Sequence, residues 1–266
     1  HTETVTGGAA ANTLLALARL GTPSAFTGKI APDQWGAFFA DSFRKQGVRD
    51  LLVRSEPKKS TGRVLSCVTP DGERSFATCL VVAVEFSPAD LNDNMFSDSR
   101  LAFVEGYLIM NPPLVEAIFE RAKRRGAQIA LDMASWNVVQ EHRERFLGYL
   151  KEYVDIAFAN EDEAKALCGE VGEKALEFIG ERCEVSVVKL GSKGSLARRG
   201  SEHVNLPIQP VKAVDTTGAG DLYAGGFLHA CLRGAPLASC CRLGSAVSRE
   251  VVQVTGATLD DETWIR

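Results

Sequence analysis

The chain has 266 residues, and 30 Lys and Arg against 34 Asp and Glu give it a formal net charge of −4 at pH 7. This balance argues against nucleic-acid binding driven by charge, and no run of about 18 apolar residues predicts a membrane span. The first residues lack the basic and apolar segments of a signal peptide. Seven cysteines without a CxxC pair predict reduced thiols. We therefore expect a globular cytoplasmic protein without nucleic-acid or membrane partners.

Short β-branched segments alternate with longer amphipathic ones along the chain. This rhythm predicts strand–helix–strand units and an α/β fold with a mostly parallel sheet. Strands are predicted over residues 24–30, 101–107, 127–133, 154–160 and 184–191. Helices are predicted over residues 8–20, 34–46, 112–125, 141–151, 161–168, 172–182, 219–233 and 236–253. The predicted strands run into loop residues, and open α/β sheets bind their ligands at that edge.

One region interrupts the alternation. Two β-rich runs flank Pro70, Asp71 and Gly72, a strong turn signal that predicts a β-hairpin within residues 60–82. The hairpin fits either a lid over a binding site or an ordinary sheet edge. Because no linker or internal repeat divides the sequence, we treat residues 1–266 as a single domain.

The most informative motif lies within residues 214–230. Its turn consists of small residues, Gly218, Ala219 and Gly220. They lead directly into a predicted helix, where the N–H groups of the first turn can bind an anion. Asp221 follows in that first turn and could accept a proton from an attacking hydroxyl, or it could merely offset the helix dipole. The segment is not a dinucleotide fingerprint, because Tyr223 occupies its sixth position, and the chain has no GxxxxGK[ST] loop.

The string DTTGAGD at residues 215–221, followed by a small-residue helix, resembles the C-terminal signature of the ribokinase-like (phosphofructokinase-B type) family of sugar and nucleoside kinases. Other family motifs occur in the expected order along nearly the whole chain. They are Gly7, Gly8 and Asn12, continued by Gly28, Asp33 and Gly36, then Asn160 with Glu163, then VVKLGSKG at residues 187–194. The overall pattern resembles the adenosine-kinase-like branch most closely.

The resemblance implies a Rossmann-like three-layer αβα sandwich with a small β lid. It also implies ATP-dependent transfer of the γ-phosphoryl group to a hydroxymethyl group of a sugar or nucleoside such as ribose or adenosine. Asp221 would act as the base, and the N–H groups of residues 218–221 would stabilise the transferred charge. Mg²⁺ is expected at Asn160 and Glu163, with Glu163 acting through bound water. Taken alone, that pair is typical of a helix cap.

Further site residues follow from the same resemblance. Substrate contacts are expected from Gly7, Gly8 and Asn12, although Asn12 could also be a surface helix residue. Nucleotide contacts are expected from Lys189, Gly191, Gly194 and Thr216, with Lys189 either near the phosphates or structural. Asp215 and Thr217 match positions that hold K⁺ in some members. Asp132 ends a predicted strand, so it lies either at the ligand-binding edge or in a turn cap.

The sequence departs from the family pattern at its start. Members usually begin with a strand carrying a substrate-binding Asp, followed by two lid strands, and this sequence begins after them, with His1. We therefore expect an incomplete fold without these N-terminal strands, and a homodimer formed through the lid in the intact protein. Two alternatives stay open. One is a non-catalytic nucleotide- or sugar-binding member, and the other is a sugar-phosphate kinase that uses Arg63 or Arg74.

Overall fold

Ten α-helices and twelve strands occur in the part of the chain that the computed structural model describes, residues 4–68 and 74–265. The helices are α1 Ala9–Arg19, α2 Gln34–Lys45, α3 Pro112–Arg124, α4 Trp136–Glu141, α5 Arg143–Glu152, α6 Glu161–Cys168, α7 Gly172–Gly180, α8 Ala219–Leu232, α9 Leu237–Val251 and α10 Asp261–Ile265. The strands are β1 Ala25–Phe26, β2 Lys29–Ile30, β3 Arg49–Asp50, β4 Val53–Arg54, β5 Arg63–Val68, β6 Arg74–Cys79, β7 Leu101–Glu105, β8 Gln128–Asp132, β9 Ile156–Asn160, β10 Val185–Lys189, β11 Ser195–Arg199 and β12 Glu202–Leu206. None of the described helices is long and apolar enough to cross a membrane.

A six-stranded sheet in the order β12-β11-β10-β9-β8-β7 forms the centre of the fold. The four strands from β7 to β10 are parallel, whereas β11 and β12 are antiparallel to their neighbours. The predicted α/β fold with a mostly parallel sheet is therefore confirmed. All four parallel strands end at the same edge of the sheet, which is where a doubly wound fold places its ligands.

Helices cover both faces of this sheet. Ile129 and Leu131 of β8 belong to a core with Phe119 of α3, whereas Phe158 of β9 packs on the other face, edge-on against Phe227 of α8 with ring centroids 5.3 Å apart. Near-continuous apolar strands such as these are typical of parallel sheets that are buried on both faces. The result is the predicted αβα layering.

Helices α1 and α8 approach each other closely because a glycine lies between them. A Cβ atom at Gly225 would lie 2.7 Å from Ala16 Cβ and 3.0 Å from the Thr13 carbonyl oxygen. The Thr13 hydroxyl also donates to the Asp221 carbonyl oxygen at 3.1 Å. This contact holds the start of α8 beside the first turns of α1.

The structure differs from the sequence predictions in several places. Residues 24–30 were expected to form one buried strand, but they form the short strands β1 and β2, which pair with β3 and β4. The Phe26 ring stacks on Phe43 of α2 and does not join the central sheet. The helix expected over residues 141–151 corresponds to α5, and the separate helix α4, which ends at Glu141, was not predicted. Strands β3, β4, β11 and β12 and helix α10 were not predicted either.

Strands β5 and β6 pair as the predicted antiparallel hairpin. Pro70, Asp71 and Gly72, the predicted turn, lie outside the described residues. Val64 and Leu65 point to opposite faces of the hairpin, yet they are 54% and 60% exposed. The roles of this hairpin as a lid and as a dimer contact stay predictions.

Candidate active site

Each parallel strand of the central sheet ends in a polar or charged residue. Glu105, Asp132, Asn160 and Lys189 are the last residues of β7, β8, β9 and β10. Glu105 lies opposite Asp132 in the strand register, and Lys189 lies opposite Asn160. Four neighbouring strands therefore place these side chains in one row at the ligand-binding edge.

Asp221 lies in the first turn of α8, close to the side chains at these strand ends. Its carboxylate accepts a hydrogen bond from Asn12 Nδ2 at 2.8 Å. Asn12 is buried, so the alternative reading of Asn12 as a surface helix residue is wrong. Desolvation by burial raises the pKa of Asp221 to about 6; Asp132 and Glu105 raise it as well, while the Asn12 hydrogen bond and Lys189 lower it. Two predicted site residues that are 209 positions apart are thus in direct contact.

Lys189 and Asp132 form an ion pair inside the site. Lys189 Nζ lies 2.7 Å from Asp132 Oδ2, and the two side chains are only 13% and 9% exposed. The other Asp132 oxygen accepts a hydrogen bond from the Ala134 N–H. Asp132 therefore combines both predicted roles, a position at the ligand-binding edge and a turn cap.

Glu105 is a site residue that the sequence analysis missed. One of its carboxylate oxygens accepts a hydrogen bond from the Ala10 N–H in the first turn of α1, at 2.9 Å. Burial raises the pKa of Glu105, and Asp132 adds to the shift. The available signal was its place near the end of a predicted strand, similar to the signal that singled out Asp132. Glu105 lies next to the predicted substrate motif of Gly7, Gly8 and Asn12.

Asn160 and Glu163 form a complete capping box at the start of α6. The Glu163 N–H donates to Asn160 Oδ1, and the two Glu163 oxygens accept from the backbone N–H and the Nδ2 group of Asn160. Burial raises the pKa of Glu163 to about 7, against the opposing effect of Lys189. The helix cap that the motif alone predicts is therefore present, and any metal contact would be an additional role.

The residues near Glu163 fit Mg²⁺ bound through water. Each Glu163 oxygen accepts one protein hydrogen bond and has a second lone pair for a metal-bound water. Three carboxyl groups, those of Asp132, Glu163 and Asp221, act on the ammonium of Lys189, so a bound cation would offset an excess of negative charge. No group of three His, Cys, Asp or Glu side chains within residues 4–68 and 74–265 is arranged to hold a metal. Phosphate and water would have to complete the coordination.

The loop before α8 is held together by Asp215. Its Oδ1 accepts from the backbone N–H and the hydroxyl of Thr217, and its Oδ2 accepts from the Gly256 N–H. Asp215 thus ties the loop that leads into α8 to the segment after α9. The K⁺ contacts of Asp215 and Thr217 stay predictions.

The remaining predicted site residues lie in turns. Gly8 precedes α1 with φ +111°, and Gly7 is exposed beside it. Gly191 and Gly194 bound the turn after β10, where a Cβ atom at Gly194 would lie 1.9 Å from the Leu206 carbonyl oxygen. Thr216 lies in the turn before α8, and its carbonyl oxygen accepts from the Ala219 N–H. Their ligand contacts stay predictions.

Comparisons with known proteins agree on a family but not on a substrate. The sequence matches the pfkB family carbohydrate kinase model over residues 1–264. A crystal structure of adenosine kinase from Sinorhizobium meliloti is 36% identical, with a TM-score of 0.90, and the match covers 98% of this chain and 82% of that one. A 5-dehydro-2-deoxygluconokinase from Geobacillus thermodenitrificans is 26% identical, covering 94% of this chain and 80% of the relative. A ribokinase from Haemophilus influenzae is 27% identical, covering 94% and 82%.

Proposed function

The chain belongs to the pfkB family of carbohydrate kinases, and from this we propose that it transfers the γ-phosphoryl group of ATP to a hydroxymethyl group of a sugar or nucleoside. The observation that carries the proposal is the position of Asp221, which lies at the start of α8 and is held there by Asn12 at 2.8 Å. A carboxylate beside a helix N-terminus combines a proton acceptor with an anion-binding site.

The reaction needs one new bond, one broken bond and one proton acceptor. The acceptor oxygen bonds to the γ-phosphorus while the bond from that phosphorus to the β–γ bridging oxygen breaks, and ADP leaves with the electron pair. Asp221 takes the hydroxyl proton. N–H groups at the start of α8, around Gly218 and Gly220, would stabilise the negative charge on the transferred group. Mg²⁺, when bound near Asn160 and Glu163, would neutralise phosphate charge.

The acceptor would bind between α1 and the end of β7. Asn12 offers a donor and an acceptor to hydroxyl groups, and its bond to Asp221 places it beside the reacting oxygen. Glu105 is held against the N-terminus of α1 by the Ala10 N–H, so its other oxygen is available to a sugar hydroxyl. Glu105 would thus supply a carboxylate to the proposed acceptor site.

An acceptor panel tests the proposal. The protein is incubated with ATP, Mg²⁺ and either adenosine, ribose, fructose or 5-dehydro-2-deoxygluconate, and ADP release is measured against a reaction without acceptor. We expect acceptor-dependent ADP release with at least one neutral sugar or nucleoside. ATP binding without ADP release for any acceptor would contradict the proposal and favour a binding-only protein.

The activity should fall in acid. Because the base must be ionised and the pKa of Asp221 is raised to about 6, kcat/KM should drop about tenfold per pH unit below about pH 6. Rates are measured from pH 5 to pH 9, with circular dichroism at each pH to exclude unfolding. A rate that stays constant down to pH 5 would show that Asp221 is not the titrating base.

A further inference from the structure

The ammonium group of Lys189 projects into the space at the start of α8. A Cβ atom at Gly220 would lie only 3.1 Å from Lys189 Nζ, so this turn has room for the ammonium because residue 220 has no side chain. Asp132 holds the same nitrogen at 2.7 Å. Lys189 therefore extends from the end of β10 to the place where the transferred phosphoryl group would lie.

Lys189 keeps its charge in this position. Burial lowers its pKa, but Asp132, Glu163 and Asp221 more than compensate, so the pKa of Lys189 lies above its usual value. Asp132 is the carboxylate that holds the ammonium by a direct hydrogen bond. This partner matters because a lysine without it could swing to Asp221 and neutralise the base.

We propose that Lys189 contacts the γ-phosphoryl group during transfer and that Asp132 is the positioning residue that holds Lys189 there and away from Asp221. This inference rests on the proposed kinase function, and it adds which phosphate Lys189 contacts and what Asp132 does. A fixed cation aimed at a phosphoryl group stabilises the charge that develops during transfer without having to reorganise. Asp132 itself would touch neither substrate.

The alternative is that the pair only stabilises the fold, and a second, more exposed ion pair remote from the site provides a control. Lys123 and Asp155 also lie 2.7 Å apart, but Asp155 precedes β9, so this pair lies at the opposite edge of the sheet. Lys123→Met removes an ion pair of the same length far from the site. Effects shared by Lys123→Met and Lys189→Met report on folding, and effects confined to Lys189→Met report on the reaction.

Nucleotide binding gives a test that does not require turnover. The dissociation constants of ATP and ADP are measured by calorimetry, with Mg²⁺, for the wild type, Lys189→Met, Asp132→Asn and Lys123→Met. Because only ATP has the γ-phosphoryl group, Lys189→Met should weaken ATP binding about tenfold or more and leave ADP binding nearly unchanged. Equal losses for ATP and ADP, or no loss for either, would overturn the contact even if the protein is an active kinase.

Turnover and its pH dependence test the positioning role. We expect Lys189→Met to reduce kcat about 10²-fold and Asp132→Asn about tenfold, with little change in acceptor KM. Glu105, Asp132 and Lys189 are the charged groups that act on Asp221. Removing the positive charge of Lys189 should shift the acid limb of the rate to higher pH, and removing the negative charge of Asp132 should shift it to lower pH. Shifts in the same direction, or none, would overturn the assignment of Asp132.

The failure of this inference can be separated from a failure of the proposed function. If the wild type phosphorylates no acceptor, but Lys189→Met weakens the binding of ATP and not of ADP, the kinase proposal is refuted and the phosphoryl contact is supported. If the wild type is active, and Lys189→Met and Asp132→Asn behave like Lys123→Met, the kinase proposal stands and this inference is refuted. The behaviour compared is the rate, the affinity for ATP and the pH profile.

Discussion

Replacing Asp221 with asparagine should reduce kcat about 10²- to 10⁴-fold, the usual contribution of a general base. The amide keeps the shape of the carboxylate, and its oxygen can still accept the hydrogen bond that Asn12 donates. ATP should therefore bind with nearly unchanged affinity, because the N–H groups at the start of α8 remain in place. Steady-state rates and ATP calorimetry on the same preparation measure both effects.

The variant should also be more stable than the wild type in mild alkali. Burial raises the pKa of Asp221 from 3.8 to about 6, so the folded state prefers the protonated acid. The stability that this preference contributes is complete below about pH 4 and is lost as the pH rises through about 6. At pH 8 the ionised carboxylate thus costs up to about 3 kcal/mol, and asparagine removes that cost. The melting temperature of Asp221→Asn should exceed that of the wild type at pH 8.

Glu173→Gln is the control for the helix dipole. Glu173 is an exposed acid in the first turn of α7, so it shares with Asp221 only the favourable interaction with a helix N-terminus. We expect Glu173→Gln to keep full activity and to be slightly less stable. A kcat for Asp221→Asn within about threefold of the wild type would mean that Asp221 merely offsets the dipole of α8 and is not the base of the reaction.

The parallel core could be predicted because its strands are short, apolar and buried on both faces. Strands β7 to β10 all occur where the sequence predicts them. Strand β12 was missed because three of its five residues are exposed, so its sequence lacks an apolar pattern. Residues 24–30 have an apolar pattern, but they pack against α2 and do not join the central sheet. Sequence periodicity does not reveal which element an apolar segment packs against.

The sequence analysis identified the motifs of the candidate site but not the contacts between their residues. Asn12 and Asp221 were identified separately from the family resemblance, but their hydrogen bond depends on how α1 packs on α8 at Gly225. Glu105 has no motif of its own. It joins the site only because β7 lies next to β8 in register, so that Glu105 is opposite Asp132. The order of the strands in the sheet could not be predicted from the sequence pattern, so this contact could not be predicted either.

The second large effect is expected from Gly218→Ala, at the residue that precedes α8. Gly218 has φ +75°, and a Cβ atom there would lie 2.5 Å from Ala257 Cβ. Alanine would therefore be strained by its backbone conformation and would also collide with the segment after α9. Relief of the collision would move the first turn of α8, and with it the N–H groups proposed to bind the phosphoryl group. We expect kcat to fall about 10²- to 10³-fold.

Gly234→Ala separates the collision from the backbone strain. Gly234 has φ +74°, nearly the same as Gly218, but a Cβ atom there would meet nothing within 4 Å. Each variant should lose about 1–2 kcal/mol from the left-handed backbone conformation, and Gly218→Ala should lose more because of Ala257. Thermal melting and steady-state rates are compared for the two variants. Gly218 and Gly234 share a backbone conformation, but only Gly218 meets a neighbour and lies at the proposed phosphoryl site. Equal rates for the two variants would therefore show that the start of α8 does not bind the transferred group.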